Sequence, residues 1–140
     1  MNKIVRNVLA VIIGFVVGSA LNMTIINVSS YIIPPPAGAD VTTPEGLAAA
    51  MHLFKPINFL MPFLAHSLGT LLGAYIAALI AASYKMILAL VVSVSFLVGG
   101  IMMVMMLPSP LWFNLTDLLL AYIPIGFLGA KLATRKQKVN

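Results

Sequence analysis

Two side chains able to exchange protons lie inside long apolar runs of this chain: Asp117, between Thr116 and Leu118, and His66, between Ala65 and Ser67. A carboxyl at mid-span costs about 2.5–3.5 kcal/mol on insertion scales, so it is expected to face protein or water and not lipid. The same run, 111–130, carries Leu111, Phe113, Leu115, Leu118, Leu119, Leu120, Ile123, Ile125, Phe127 and Leu128. At about −0.3 to −0.6 kcal/mol each they more than offset that cost, and the segment inserts with its acid. His66 reads either as a neutral imidazole satisfied by a helix–helix hydrogen bond or as a group for proton exchange or ligand contact. Metal or haem ligation would need more donors than His66, His52 and Asp117 supply, and with no cysteine in the chain thiolate sites are excluded. No metal and no cofactor is expected.

Catalytic patterns are missing as well. The chain has no HExxH, no GxSxG elbow, no Walker loop and no second buried acid to pair with Asp117. Ser67 follows His66 directly, so on a helix it points about 100° away and is not a poised nucleophile. An enzyme is therefore the least favoured class.

The elements that position these groups follow from composition. The chain is 61% hydrophobic and 8% charged, with a mean hydropathy of +1.09. A soluble domain of this length could not hide so much apolar surface, so lipid is the expected solvent for most of it. Four runs are long enough to cross about 30 Å of hydrocarbon: 8–28, 57–82, 87–107 and 111–130. The net charge of +5 belongs to hydrophilic ends and turns, which points to membrane topology and not to nucleic acid. Lys3, Arg6, Lys85, Lys131, Arg135, Lys136 and Lys138 fall on one side and Lys55 alone on the other, so both termini are expected in the cytoplasm. Lys3, Arg6, the stretch 8–17 and Gly18-Ser19-Ala20 also imitate a cleavable signal peptide. Renewed apolar character through Leu21, Met23, Ile25 and Ile26 favours an uncleaved anchor.

The first connection is the long one. Pro34-Pro35-Pro36 stiffens it, and Thr43, Pro44 and Glu45 are a helix start: hydroxyl N-cap, proline at N1, acid in the first turn. A short interfacial helix over 44–54 follows, stopped by Pro56. The expected architecture is all-α: one integral membrane domain over 1–140, a four-helix bundle with this helix in its first outer loop. Pro62 and Pro124 are expected to kink their helices.

Polar residues within the spans gather towards the outer half: Asn22 and Asn27 late in the first, Asn58 and His66 early in the second, Asn114 and Asp117 early in the fourth. Asp117 is about 9 Å past Leu111 and His66 about 14 Å past Ile57 along their helices. Gly14 and Gly18 form one GxxxG pair and Gly69 and Gly73 another, on the faces that carry Asn22 and His66, which marks those faces for close helix packing. With no lysine or arginine at comparable depth, a neutral or proton-exchanging Asp117 is expected in preference to a salt bridge, with His66, an asparagine, water or a ligand as its partner.

The stretches IPPPA (33–37), MHLFKPINFLMPFLAHSLGTLLGA (51–74) and MLPSPLWFNLTDLLLAYIPIGFLGAKLA (106–133) resemble small four-span bacterial membrane proteins of no assigned activity. The resemblance implies four helices in a bacterial inner membrane and brings no functional residues. The small multidrug exporters carry their essential acid in the first span, and this first span has none. The leading expectation is an outer-half pocket for a small solute or a proton, built from Asp117, His66, Asn22, Asn58 and Asn114, in a homo-oligomer. The alternative is an accessory or scaffolding subunit docked to other membrane subunits.

Overall fold

A computed structural model describes the backbone of residues 2–139; the side chains of 136–139, Lys136 and Lys138 of the basic tail among them, lie outside the described residues. No strand occurs among those residues. The chain forms α1 (Lys3–Ile32), α2 (Pro44–Ala50), α3 (Leu60–Ile80), α4 (Lys85–Met106), α5 (Leu111–Leu120) and α6 (Ile123–Val139), with 3-10 turns at Met51–Leu53 and Pro56–Phe59. Four stretches are long and apolar enough to cross a membrane, the last of them running through α5 and α6. This is an all-α bundle and a multi-pass membrane protein.

Local chemistry sets the helix ends. The Asn2 side chain caps α1 by accepting from Ile4 N, and the helix stops just short of the three prolines. Thr43 Oγ1 caps α2 by accepting from Gly46 N at 3.0 Å, with Pro44 at the first helical position. The interfacial helix is shorter than the sequence suggests: regular α-helix ends at Ala50 and a single 3-10 turn completes it. Pro62 does not kink a helix, because α3 begins only at Leu60 and proline is tolerated in a first turn, where no helical bond is lost. Pro124 has the larger effect expected of an interior proline. It lacks the N–H that would bond Leu120 O, and the fourth span divides into α5 and α6 around Ala121 and Tyr122.

α3 is the central helix, 44% buried across its span against 17% for α1, and it packs on α1, α4 and α6. Gly14 and Gly18 of α1 lie directly on Gly69 and Gly73 of α3. A Cβ added at Gly14 would stand 2.6 Å from Gly73 O, and one at Gly73 would stand 2.8 Å from Gly14 O. Such backbone approach gives two helices dispersion contact where lipid offers no hydrophobic drive to associate. Ala74, Ala78, Ala89, Ala130 and Ala133 close one end of the core in the same way. Large apolar side chains such as Ile4, Ile12, Val16, Ile87, Met102 and Met105 point outward, the reverse of a soluble fold. The α3–α4 turn is clamped by α1: Asn7 Oδ1 accepts from Ala82 N at 2.9 Å and Ser83 N at 3.2 Å, and Arg6 Nε donates to Ile80 O at 2.6 Å.

Candidate functional site

Asp117 is 3% exposed, and its carboxylate is held from two sides. His66 Nδ1 lies 2.9 Å from Oδ1 and 3.0 Å from Oδ2, and Tyr122 Oη donates to Oδ2 at 2.8 Å. The imidazole and phenol rings stack with centroids 5.8 Å apart at 27°. The acid, the imidazole and the phenol come from α5, from α3 and from the α5–α6 interruption, so the cluster joins two spans through side chains alone.

The interruption is what completes it. Tyr122 follows Asp117 by five residues, which on an unbroken helix would place the two side chains about 140° apart. At Ala121 and Tyr122 the helix gives way before Pro124, and the phenol returns to the carboxylate. Across the bundle, Gly100 of α4 leaves the space that the phenol fills: a Cβ there would fall on the Tyr122 hydroxyl and 2.7 Å from its Cζ. Tyr122 is 1% exposed, and a buried phenol of that size needs both the gap and the acceptor.

With the carboxylate ionised, Nδ1 carries the hydrogen that faces Asp117, and the second ring nitrogen, Nε2, makes no hydrogen bond among the described residues. The His66 side chain remains 19% exposed. One edge of the imidazole is thus tied to a buried acid while the ring still reaches the surface. His⁺ beside Asp⁻ and neutral His beside Asp⁻ differ by one proton, and the geometry accommodates both. No lysine or arginine lies between Asn7 and Tyr31 of α1 or beyond Lys85 in α4, so the ionisable character of this part of the bundle is that of His66, Asp117 and Tyr122.

The other residues singled out in the sequence make no hydrogen bond to this cluster. Asn58 is a local brace: its Oδ1 accepts from Lys55 N at 2.9 Å and its Nδ2 donates to Pro34 O at 3.4 Å. Asn114 Oδ1 accepts from Ser109 Oγ at 2.7 Å, fastening the turn before α5. Asn22 packs its Cβ against Gly69, where an added Cβ would stand 2.9 Å away. None of the three bonds to His66 or Asp117, and two open surface depressions also lie away from them. One, of about 390 Å³, lies along Ile87, Val91, Val94 and Val98, and the other, of about 350 Å³, along Ile4, Val8 and Ile12. Tyr122 was not among the candidates. Its one sequence signal is Pro124, two residues on, which breaks the helical spacing that otherwise separates Tyr122 from Asp117. Among the described residues no three His, Asp or Glu side chains gather as a metal site would require.

No known protein-family model matches this chain, and no curated protein or solved structure is significantly similar to it. The geometry of the cluster therefore carries the functional argument.

Proposed function

We propose that this protein is a small bacterial inner-membrane protein in which the His66–Asp117 pair, oriented by Tyr122, takes up and releases a proton within the bilayer. The observation that carries the reading is the asymmetry of His66: Nδ1 bonds the carboxylate of a side chain that is 4% exposed, while the imidazole side chain itself is 19% exposed. An ionisable residue inside a span is expensive and is commonly a proton or ion site, and a histidine needs only small environmental differences to titrate near neutral pH. In this reading the expectation of a neutral or proton-exchanging Asp117 takes its proton-exchanging form, a pair that shares one exchangeable proton. The basic residues at the ends of α1, α4 and α6 support cytoplasmic termini. Self-association belongs to the same reading, because four spans enclose little volume of their own.

The test is infrared difference spectroscopy on the full chain in lipid bilayers, stepped between pH 8 and pH 5. The expected result is a pH-dependent carboxyl and imidazole signal in the wild type that Asp117→Asn removes. Identical difference spectra for the two proteins would sink the proposal. Native mass spectrometry from mild detergent then separates a homo-oligomer from an accessory subunit, which would retain a stoichiometric foreign chain.

A further inference from the structure

Two hydroxyls beside the cluster are buried without a partner. Ser67 is 7% exposed and Thr70 0% exposed, and neither Ser67 Oγ nor Thr70 Oγ1 has a hydrogen-bond partner among the described residues. Helical hydroxyls usually satisfy themselves on the carbonyl one turn back, and in this chain Thr24, Ser93, Ser95, Thr116 and Thr134 all do so. Among the helical hydroxyls with no such bond, Ser67 and Thr70 are the buried ones, and both lie near His66: Ser67 adjoins it, and Thr70 lies one turn further along α3, on the same side of the helix. Buried polar atoms with nothing to bond are rare in native structures, and each calls for a ligand or a water.

The layer around Thr70 is closely packed. A Cβ at Gly126 of α6 would collide with Ser93 Oγ and stand 3.6 Å from Thr70 Cγ2, so Thr70, Ser93 and Gly126 meet in one layer, a turn below Tyr122. Ser67 and Thr70 are three residues apart, with Cβ atoms about 5–6 Å from each other. A single water making two bonds of about 2.8 Å spans that gap. An organic solute has no comparable space here, since Ser93 fills the notch at Gly126 and Tyr122 fills the one at Gly100.

We infer that Ser67 and Thr70 bind an internal water that extends the His66–Asp117–Tyr122 cluster inward by one helical turn, so that the ligand of this site is a hydrated proton and not an organic solute. The second half of this inference rests on the proton-exchange reading. The titratable groups facing the site are His66 from α3, Asp117 from α5 and Tyr122 at the interruption, while α4 presents Ser93 and Gly100 and no ionisable side chain at this level. The balance is one of protons alone. When a proton bonds to Nε2 of His66, the Nδ1–H bond can break towards Asp117, and the water gives the cluster a further oxygen on which that proton is shared.

Water-edited solid-state NMR on the full chain in bilayers tests the site directly. Transfer from water to Thr70 is expected at least threefold faster than to Val92, which is equally buried but apolar, and close to that of loop residue Thr42. Thr70→Val is expected to slow transfer to Ser67 at least threefold, whereas Thr70→Ser, which keeps the hydroxyl, preserves it and controls for folding. Transfer to Thr70 no faster than to Val92 overturns the water site even if Asp117 titrates. A wet Thr70 in a protein whose infrared spectrum ignores pH supports the water site and overturns its assignment to a proton. Saturable displacement of that water by an organic solute overturns the choice of ligand.

Discussion

Asp117→Asn changes the cluster in a way that can be worked through atom by atom. The carboxylate offers two acceptor oxygens, to His66 Nδ1 at 2.9 and 3.0 Å and to Tyr122 Oη at 2.8 Å. An asparagine amide has nearly the same shape but one acceptor and one donor. If its oxygen keeps Tyr122, its NH₂ meets Nδ1, and two N–H groups then face each other unless the imidazole moves its hydrogen to Nε2. Leaving a buried donor unpaired costs about 1–3 kcal/mol. At about 2 kcal/mol the ratio of the two imidazole tautomers shifts roughly thirtyfold. The assay is nitrogen NMR of histidine-labelled protein in bilayers at neutral pH, where a protonated and an unprotonated ring nitrogen have well-separated shifts. The wild type should show Nδ1 protonated. Asp117→Asn should show neutral His66 with its hydrogen on Nε2. An unchanged Nδ1–H signal in Asp117→Asn would mean that the carboxylate does not set the state of the imidazole, and the reasoning behind the site would fail.

Other regions give equally direct tests. Gly14→Val should destabilise the bundle by about 1–3 kcal/mol through overpacking, because its Cβ meets Gly73 O at 2.6 Å, whereas Gly99→Ala, with nothing within 4 Å, should be neutral or gain up to about 1 kcal/mol of helix propensity. Reversible unfolding in mixed micelles reads both, and equal losses would contradict the packing. Asp40, in the exposed loop, is held below its ordinary value of 3.8 by hydrogen bonds from the Thr42 side chain and backbone. A lowered value means that its contribution to loop order is present above the unfolded value and is lost as pH falls through the folded one. Carboxyl carbon NMR should therefore follow Asp40 titrating below the usual range, and Thr42→Ala should return it towards 3.8; an unmoved midpoint would refute that cause. Pro124→Ala restores the missing N–H, so the fourth span should become a continuous helix and Tyr122 should swing away from Asp117. Loss of distance restraints between Tyr122 Oη and the Asp117 carboxyl is the expected readout, and their persistence would show that the proline does not place the phenol.

Much of the architecture was legible because lipid makes it so. A run such as 87–107 has no stable arrangement in a bilayer except a helix with its backbone groups satisfied internally, and α4 occupies nearly that range, Lys85–Met106. The glycines were legible as packing faces on similar grounds, though not which faces meet, since GxxxG marks close approach without naming a partner. Asp117 and His66 stood out because each is costly in lipid. Asn58 and Asn114 stood out for the same reason and turned out to brace turns at the ends of spans. Hydropathy cannot distinguish an asparagine that satisfies a nearby backbone or hydroxyl from one that faces the core. Tyr122 was invisible for the opposite reason: a tyrosine costs little in a span, and regular helical spacing points it away from the acid.

That contrast bears on how the site is built. A fully helical fourth span would satisfy one more backbone carbonyl, that of Leu120, and would separate the phenol from the carboxylate. The observed span gives up that bond at Pro124 and gains the Tyr122–Asp117 hydrogen bond. A charge-assisted bond of that kind contributes about 1.5–3 kcal/mol in soluble proteins, and polar contacts between membrane helices average nearer about 0.6 kcal/mol. The exchange is therefore close to neutral for stability, and stability alone gives little reason for this arrangement over an unbroken helix. What the break does change is chemistry: it puts a second donor on the acid, which fixes the carboxylate's rotation and presents both oxygens to one edge of His66. A break in a span beside a buried ionisable group is a recurring way to build sites inside membranes. In this chain it favours reading the cluster as a working proton site over a fastening between two helices.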